Sequence, residues 1–321
     1  MKFIHLLPLL PLVLTACVDS ETENTATRII NYGGNMCFNQ VVDTQTGEFF
    51  NSYSPNYELN LNLTERLVTT SITNMQLSPG NAGVTLRLPA LPVNTNTTDV
   101  SYEVTGTDIK PEATSAYTFD KFRLGVIERY VQGTSAENRY SPVYQITYSV
   151  NDRYDINVFP TSYDLIGAIS STPVTAPTPG ADSDATARAA SSGTESTAQA
   201  YTVTNILHTM TLDVAKNTAT LVIDGVRYAD TMSPSLLKIN NIPYTVAKGA
   251  IEVSTPADVT YQINDILGPI TGCTLQDIHI RIAVPSGQTT ISYRANITKM
   301  QGNDQIVDYD VSTTAGYLYQ K

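Results

Sequence analysis

Over long stretches of the chain, apolar residues occupy every second position. Leu59, Leu61 and Leu63 are spaced by asparagines, Leu86 and Leu88 flank Arg87, and Leu212 and Val214 flank Asp213. The same spacing returns in Phe122, Leu124 and Val126 and in Ile278, Ile280 and Ile282. A period of two sends successive side chains to opposite faces of a pleated strand, so each set predicts a strand with one apolar and one polar face. Turn-forming clusters punctuate these runs at Ser78-Pro79-Gly80-Asn81, Pro285-Ser286-Gly287 and Gln301-Gly302-Asn303-Asp304. Asp224-Gly225, between Thr220-Leu221-Val222-Ile223 and Val226-Arg227-Tyr228, predicts a tight hairpin turn. Many short strands joined by turns predict an all-β protein of antiparallel sandwich or small-barrel domains, and periodicity does not choose between the two.

The strand-forming blocks come in two copies. Leu86-Arg87-Leu88-Pro89-Ala90-Leu91-Pro92 matches Leu237-Lys238-Ile239-Asn240-Asn241-Ile242-Pro243, keeping apolar, basic, apolar, two variable residues, apolar and proline. Val100 to Val104 matches Val259 to Ile263, Thr118 to Val126 matches Thr274 to Ile282, and Ile146-Thr147-Tyr148 matches Ile291-Ser292-Tyr293. The four blocks recur in one order at offsets of 151, 159, 156 and 145 residues. Small insertions account for the drift, so a tandem duplication of one folding unit is predicted. Between the copies, residues 170–200 are rich in Pro, Ser, Thr, Ala and Gly, with no large apolar side chain beyond Val174. Such a stretch cannot repay its ordering entropy by burial and reads as a flexible linker. The predicted organisation is a first β domain over 29–169, a linker over 170–200 and a second β domain over 201–321.

The amino terminus carries one charge at Lys2, an apolar run from Phe3 to Leu14, and then Thr15-Ala16-Cys17. That order of charged, apolar and small-residue zones is that of a secretory signal. The run is about a dozen residues and holds two prolines, whereas a helical membrane span needs roughly twenty. Leu14-Thr15-Ala16-Cys17 resembles the lipobox of bacterial lipoproteins, which implies removal of a signal peptide over 1–16 and a diacylglyceryl group on the Cys17 thiol. Residues 17–28 then form an acidic, solvated tether. Three acyl chains bury far more methylene than a single myristate, so the expected partner is the membrane, held lastingly through Cys17. The acidic stretch Val18 to Asn24 also resembles the surface-export signal of Bacteroidetes lipoproteins. An outer-membrane address, on the cell surface or the periplasmic face, is expected. Thr218-Ala219-Thr220-Leu221-Val222-Ile223, Tyr228-Ala229-Asp230-Thr231-Met232-Ser233-Pro234 and Ile242-Pro243-Tyr244 resemble a family of Bacteroidetes outer-membrane lipoproteins with two tandem β-rich repeats. The resemblance covers roughly 75–100 residues of each copy and is strongest in the second. That family carries no assigned activity, so the resemblance implies fold and address and transfers no functional residue.

Charge and composition work by exclusion. Nineteen Lys and Arg stand against thirty Asp and Glu, for a net charge of −11, and no basic cluster interrupts the acidic background. Nucleic acid and anionic headgroups both require such clusters, so neither is an expected partner. His208 and His279 are the only histidines after the signal. No HExxH or similar spacing accompanies them, so no metal site and no cofactor is expected, and a serine triad has little to work with. Ser235-Leu236-Leu237-Lys238 fits SxxK, but Lys238 matches Arg87 in a strand and no SDN or KTG element follows. Carboxylates pair at Asp152 and Asp155 and at Asp308 and Asp310, the latter about 7 Å apart along a strand, with solvation the simpler reading of both pairs. Cys37 and Cys273 could bridge the domains in an oxidising compartment, although two separate buried thiols is the favoured reading because disulfide geometry is stringent. Nineteen Tyr and no Trp leave tyrosine as the aromatic contact, with Tyr102 and Tyr261 at matched strand positions as candidate ligand contacts. Asp230-Thr231-Met232 resembles the O-glycosylation acceptor pattern of Bacteroidetes, with Thr231 as the acceptor.

No catalytic constellation emerges, and the expectation leans away from an enzyme. The leading expectation is a lipid-anchored outer-membrane or cell-surface protein with a binding or assembly role, its protein or glycan partner unspecified. Two alternatives stand beside it: a fimbrillin-like pilus subunit with Arg28 as a maturation site, and a surface hydrolase with scattered carboxylates.

Overall fold

A computed structural model describes residues 27–97, 100–127, 130–131, 139–140, 143–174, 200–230, 232–264, 268–297 and 307–317. The signal, Cys17, nearly all of the tether and Thr231 lie outside these residues. The first half forms β1 (Thr27–Gly33), β2 (Cys37–Asp43), β3 (Phe49–Tyr53), β4 (Asn56–Asn62), β5 (Leu67–Met75), β6 (Val84–Asn94), β7 (Tyr102–Ile109) and β8 (Phe119–Ile127). A short pair, β9 (Tyr130–Val131) and β10 (Arg139–Tyr140), precedes β11 (Val143–Val150) and β12 (Tyr154–Pro160). Ten of these strands pair antiparallel in the order β1-β4-β5-β6-β7-β8-β11-β12-β2-β3, a half-barrel sheet. The second half forms β13 (Ser162–Val174), β14 (Tyr201–Asp213), β15 (Thr218–Val226), β16 (Ser235–Pro243), β17 (Thr245–Ala247) and β18 (Ala250–Ser254). It continues with β19 (Thr260–Asn264), β20 (Pro269–Ala283), β21 (Thr289–Ile297) and β22 (Val307–Tyr317). Here β13-β14-β15-β16-β19-β20-β21-β22 close on themselves as an eight-stranded barrel, and the β17–β18 hairpin extends from β20.

The two halves share strand order and register. The four matched blocks fall on β6 and β16, β7 and β19, β8 and β20, and β11 and β21, each with equivalent neighbours. Leu67 pairs with Pro92 as Thr218 pairs with Pro243, and the ladder slips between Val68 and Thr70 as it slips between Ala219 and Leu221. A second slip, between Ile72 and Met75, recurs between Ile223 and Val226. Asn74 (φ 60°) occupies the first of these bulges and Gly225 (φ 81°) the second, each in the left-handed region that an extra residue in a strand requires. Asp224-Gly225 is therefore a bulge inside β15, not the hairpin turn that the dipeptide predicts. Strand pairing on both sides of β15 overrides the local turn chemistry. Leu63 also departs from expectation. Asn62 accepts the Glu65 N–H at 2.9 Å, which ends β4 and leaves Leu63 exposed in the turn.

One strand decides whether each ring closes. β13 pairs with β14 through Ser162 to Ser171 and with β22 through Leu165 to Val174, so a single strand joins both neighbours. Gly167 permits this. A methyl there would run into the Thr314 carbonyl and Ala315 of β22. In the first half the equivalent run is broken by a 3₁₀ turn, Gly34–Met36. Its first part, β1, pairs with β4, and its second part, β2, pairs with β12, so the sheet stays open.

Inside the barrel sit Ile206, Met210, Leu212, Leu221, Ile239, Leu275, Ile280 and Ile291, all buried. The alternate positions, among them Thr209, Thr220, Lys238, Arg281, Arg294 and Asp310, face outward. A membrane-spanning barrel carries its apolar band on the outside, so this one has the inside-out order of a water-surrounded barrel.

The domain boundary lies at Thr161, not in 170–200. β13 belongs to the second sheet, and Ser171 pairs with Tyr201, so 175–199, which lie outside the described residues, connect two adjacent strands of one barrel. Residues 170–174 join the ladder through backbone hydrogen bonds, which need no apolar side chains; composition therefore misplaces the boundary. The halves are fastened together at this point. Thr161 donates its N–H to Met36 (2.9 Å) and its hydroxyl to Asn35 (2.7 Å), and its carbonyl accepts the Leu212 N–H (2.8 Å). Buried Gln40 of β2 donates to the Ala247 carbonyl at 3.1 Å and accepts from the Gly249 N–H at 3.2 Å, both in the β17–β18 hairpin. Phe38 and Phe159, stacked at 5.3 Å, belong to the same apolar cluster as Tyr163, Tyr244 and Tyr317 of the second half.

Candidate functional site

The turns that meet at this junction enclose a cleft of about 800 Å³. From the first half come Gly34 and Asn35 of the 3₁₀ turn, Cys37, Tyr53 at the end of β3 and Ser54 after it. From the second come Thr211 to Ala215 of β14 and the turn after it, Asn217, Thr218, Thr220 and Asn241. Thr161 forms part of the floor between them. Four lining residues, Gly34, Ser54, Asn217 and Asn241, hold positive φ angles of 53–61°. The Asn217 conformation belongs to the fold, since Arg66 at the equivalent turn has φ 55°. Ser54 sits in the turn between β3 and β4, where the Asn74 side-chain amide donates to its carbonyl at 3.2 Å.

The electrostatics of the cleft are nearly neutral. Its one carboxylate, Asp213, receives the Lys216 ammonium at 2.6 Å together with backbone N–H groups, which hold it below the usual carboxylate range. The Cys37 thiol is pushed up to about 12 by burial, so it stays protonated and is no nucleophile. What the lining offers is hydroxyls and amides. Asn35, Asn217 and Asn241 are exposed, and their side-chain amides bond to no other described residue. Tyr53 is 45% exposed, and its ring is backed by Phe38 at 6.1 Å.

Of the residues singled out in the sequence, Cys37 lines the cleft and the other described candidates lie elsewhere. Tyr102 and Tyr261 are half-buried and pack against the cores of their own halves, so they do not form a shared tyrosine-lined surface. Cys37 and Cys273 are free, buried thiols in different clusters, so the inter-domain bridge does not form. Asp310 pairs with Arg294 at 2.9 Å, and the Asp308 side chain lies outside the described residues. The Asp152 N–H donates to Asp120 at 2.5 Å in a turn, and neither Asp152 nor Asp155 lines the cleft. Ser235 and Lys238 share strand β16, where three residues span about 10 Å, too far for a serine–lysine dyad.

His208 and His279 have opposite surroundings. His208 points into the barrel, where its Nδ1–H donates to the Ile206 carbonyl at 3.2 Å and Nε2 has no hydrogen-bond partner. Burial lowers its pKa to about 4. His279, expected as a solvated strand residue, bridges Ser254 (3.2 Å) and Asp277 (3.0 Å). This Ser-His-Asp chain was not legible in sequence because Ser254 reaches His279 only through β18–β20 pairing. The Thr255 N–H beside the serine is taken by the Ile278 carbonyl at 3.0 Å, and the His279 and Asp277 side chains are half-exposed outside the barrel. A serine hydrolase instead presents a pair of free donors to the developing oxyanion. Among the described residues no group of three or more His, Cys, Asp or Glu could hold a metal ion.

Apart from Cys37, the cleft residues gave no sequence signal. They come from five separate turns and strand ends, and each is an ordinary turn residue on its own. No family model, curated protein or solved structure matches the chain.

Proposed function

We propose that this protein is an outer-membrane or cell-surface lipoprotein, tethered through Cys17, that binds a ligand in the cleft between its two β domains. The observation that carries the reading is the cleft itself, with a volume within the range of small-molecule sites, about 300–1,000 Å³. Thr161 bonds to Asn35 on one wall and to Leu212 on the other, so the walls are joined by the protein's own hydrogen bonds. Preformed walls reduce the ordering cost of binding. The lining gives no support to glycoside hydrolysis, which uses two carboxylates, because Asp213 is the one carboxylate there and Lys216 keeps it ionised.

Two measurements test the reading. Labelled palmitate enters the wild type and not Cys17→Ala; incorporation that survives the substitution removes the anchor. Thr211→Cys, on an exposed cleft position, is labelled with a bulky maleimide and incubated with pooled oligosaccharides and pooled peptides. Retention by the unlabelled protein alone supports the cleft, and equal retention by both places the ligand elsewhere.

A further inference from the structure

We infer that the cleft takes a neutral, polyhydroxylated ligand, a short stretch of uncharged glycan; this rests on the binding reading above and names its ligand class. Three features of the lining carry it. Charge comes first: the carboxylate of Asp213 is already neutralised by Lys216, so neither an anionic nor a cationic ligand finds an uncompensated counter-charge. Burying a ligand charge without a partner is costly, which selects against both.

Hydrogen-bonding capacity comes second. A sugar hydroxyl both donates and accepts, and neighbouring hydroxyls sit side by side. An asparagine amide presents a donor and an acceptor side by side, and a serine or threonine hydroxyl does both at one atom. Asn35 and Asn217 supply such amides from two turns and Asn241 a third from strand β16, with the Thr218 hydroxyl also in the lining. None of the described lining residues is cationic, and the neighbouring Lys216 ammonium is engaged by Asp213, so nothing favours a carboxylate or phosphate over a hydroxyl.

The third feature is Tyr53. Most large apolar side chains here are covered, yet this ring stands 45% exposed at the cleft wall and is braced by Phe38. An aromatic face with a polar tip suits the C–H face of a pyranose ring, whose edge carries the hydroxyls. The chain has no Trp, so a tyrosine has to provide that surface.

The full-length acylated protein in detergent micelles is tested by calorimetry against neutral oligosaccharides of four to six units: malto-, cello-, xylo-, manno- and chito-series. Polyglutamate, a sulfated polysaccharide and an unstructured neutral peptide are run beside them. At least one neutral series is expected to bind, with affinity unchanged between 50 and 500 mM salt. Tyr53→Ala and the double variant Asn217→Gly/Asn241→Gly should each weaken it tenfold or more while circular dichroism and Tm stay at wild-type values; glycine is chosen because both positions hold positive φ. Should either variant unfold, maleimide-blocked Thr211→Cys provides the same comparison on an intact fold. Binding of the peptide or a polyanion, lost on blocking, overturns the glycan inference and leaves the cleft reading standing. Glycan binding that survives both blocking and Tyr53→Ala overturns the cleft reading. Failure of every neutral series overturns the inference.

Discussion

At the scale of single residues, burial of His208 and of Cys37 sets measurable behaviour. His208 takes up a proton near 6.5 in the unfolded chain and only near 4 when folded. Between those values the unfolded state binds more protons, so stability is complete above about pH 6.5 and declines as pH falls toward 4. The full difference corresponds to about 3 kcal/mol. Urea titrations from pH 7 to 4 should show this loss, and His208→Met should flatten the slope attributable to this site; an unchanged slope would place the acid sensitivity elsewhere. Cys37 gives the second prediction. With its thiol pushed up to about 12 and its side chain buried, it should resist alkylation at pH 8 in the native protein and react once urea unfolds the chain. Fast native labelling would contradict the burial. Gly225 gives the third. A methyl there meets nothing closer than Ile206 at 3.6 Å, so the cost of Gly225→Ala comes from φ 81° alone. About 1 kcal/mol of stability should be lost, read as a lower Tm.

Among the elements, β13 does the most to define the molecule. It leaves the first half at Thr161, enters the second sheet at once and closes the barrel by pairing on both edges. Because β13 and β14 are neighbours, cutting between Gly180 and Ala181 should not release a separate second domain. A protease site inserted there should yield two fragments that co-purify under native conditions and separate in urea. Fragments that part without denaturant would show that the linker organisation read from composition is the right one. Periodicity made the strands themselves legible, since alternation is local and survives in nearly every block. Pairing was not legible, because Leu165 meets Tyr317 across a sequence distance that no local pattern encodes. The Asp224-Gly225 bulge shows the same limit: its turn chemistry is real, but the strands on either side had already fixed the ladder.

For the whole molecule, the relation between the halves matters most. Duplication is visible in sequence through four matched blocks, and it extends in space to two bulges with the same slips. The halves have nevertheless diverged where they touch. One ring is closed and the other is open at the 3₁₀ turn, and that turn is what places Gly34 and Asn35 against the second barrel. Gln40→Ala removes both bonds to the β17–β18 hairpin and should cost about 1–3 kcal/mol as a buried partner is lost. Hydrogen exchange at Gly249 should quicken in that variant; unaltered exchange would mean that the Gln40 bonds do not protect the hairpin.

The sequence by itself determined the strands, their polar and apolar faces, and the doubling of the unit, because each of these is written in spacing along the chain. Tertiary structure alone decided which ring closes, where one half ends, and which turns meet. Ring closure depends on a strand pairing with partners at both ends of its half, and the cleft depends on asparagines and a serine from separate turns and a strand. Those residues carry no common pattern, so only the fold brings them to one wall.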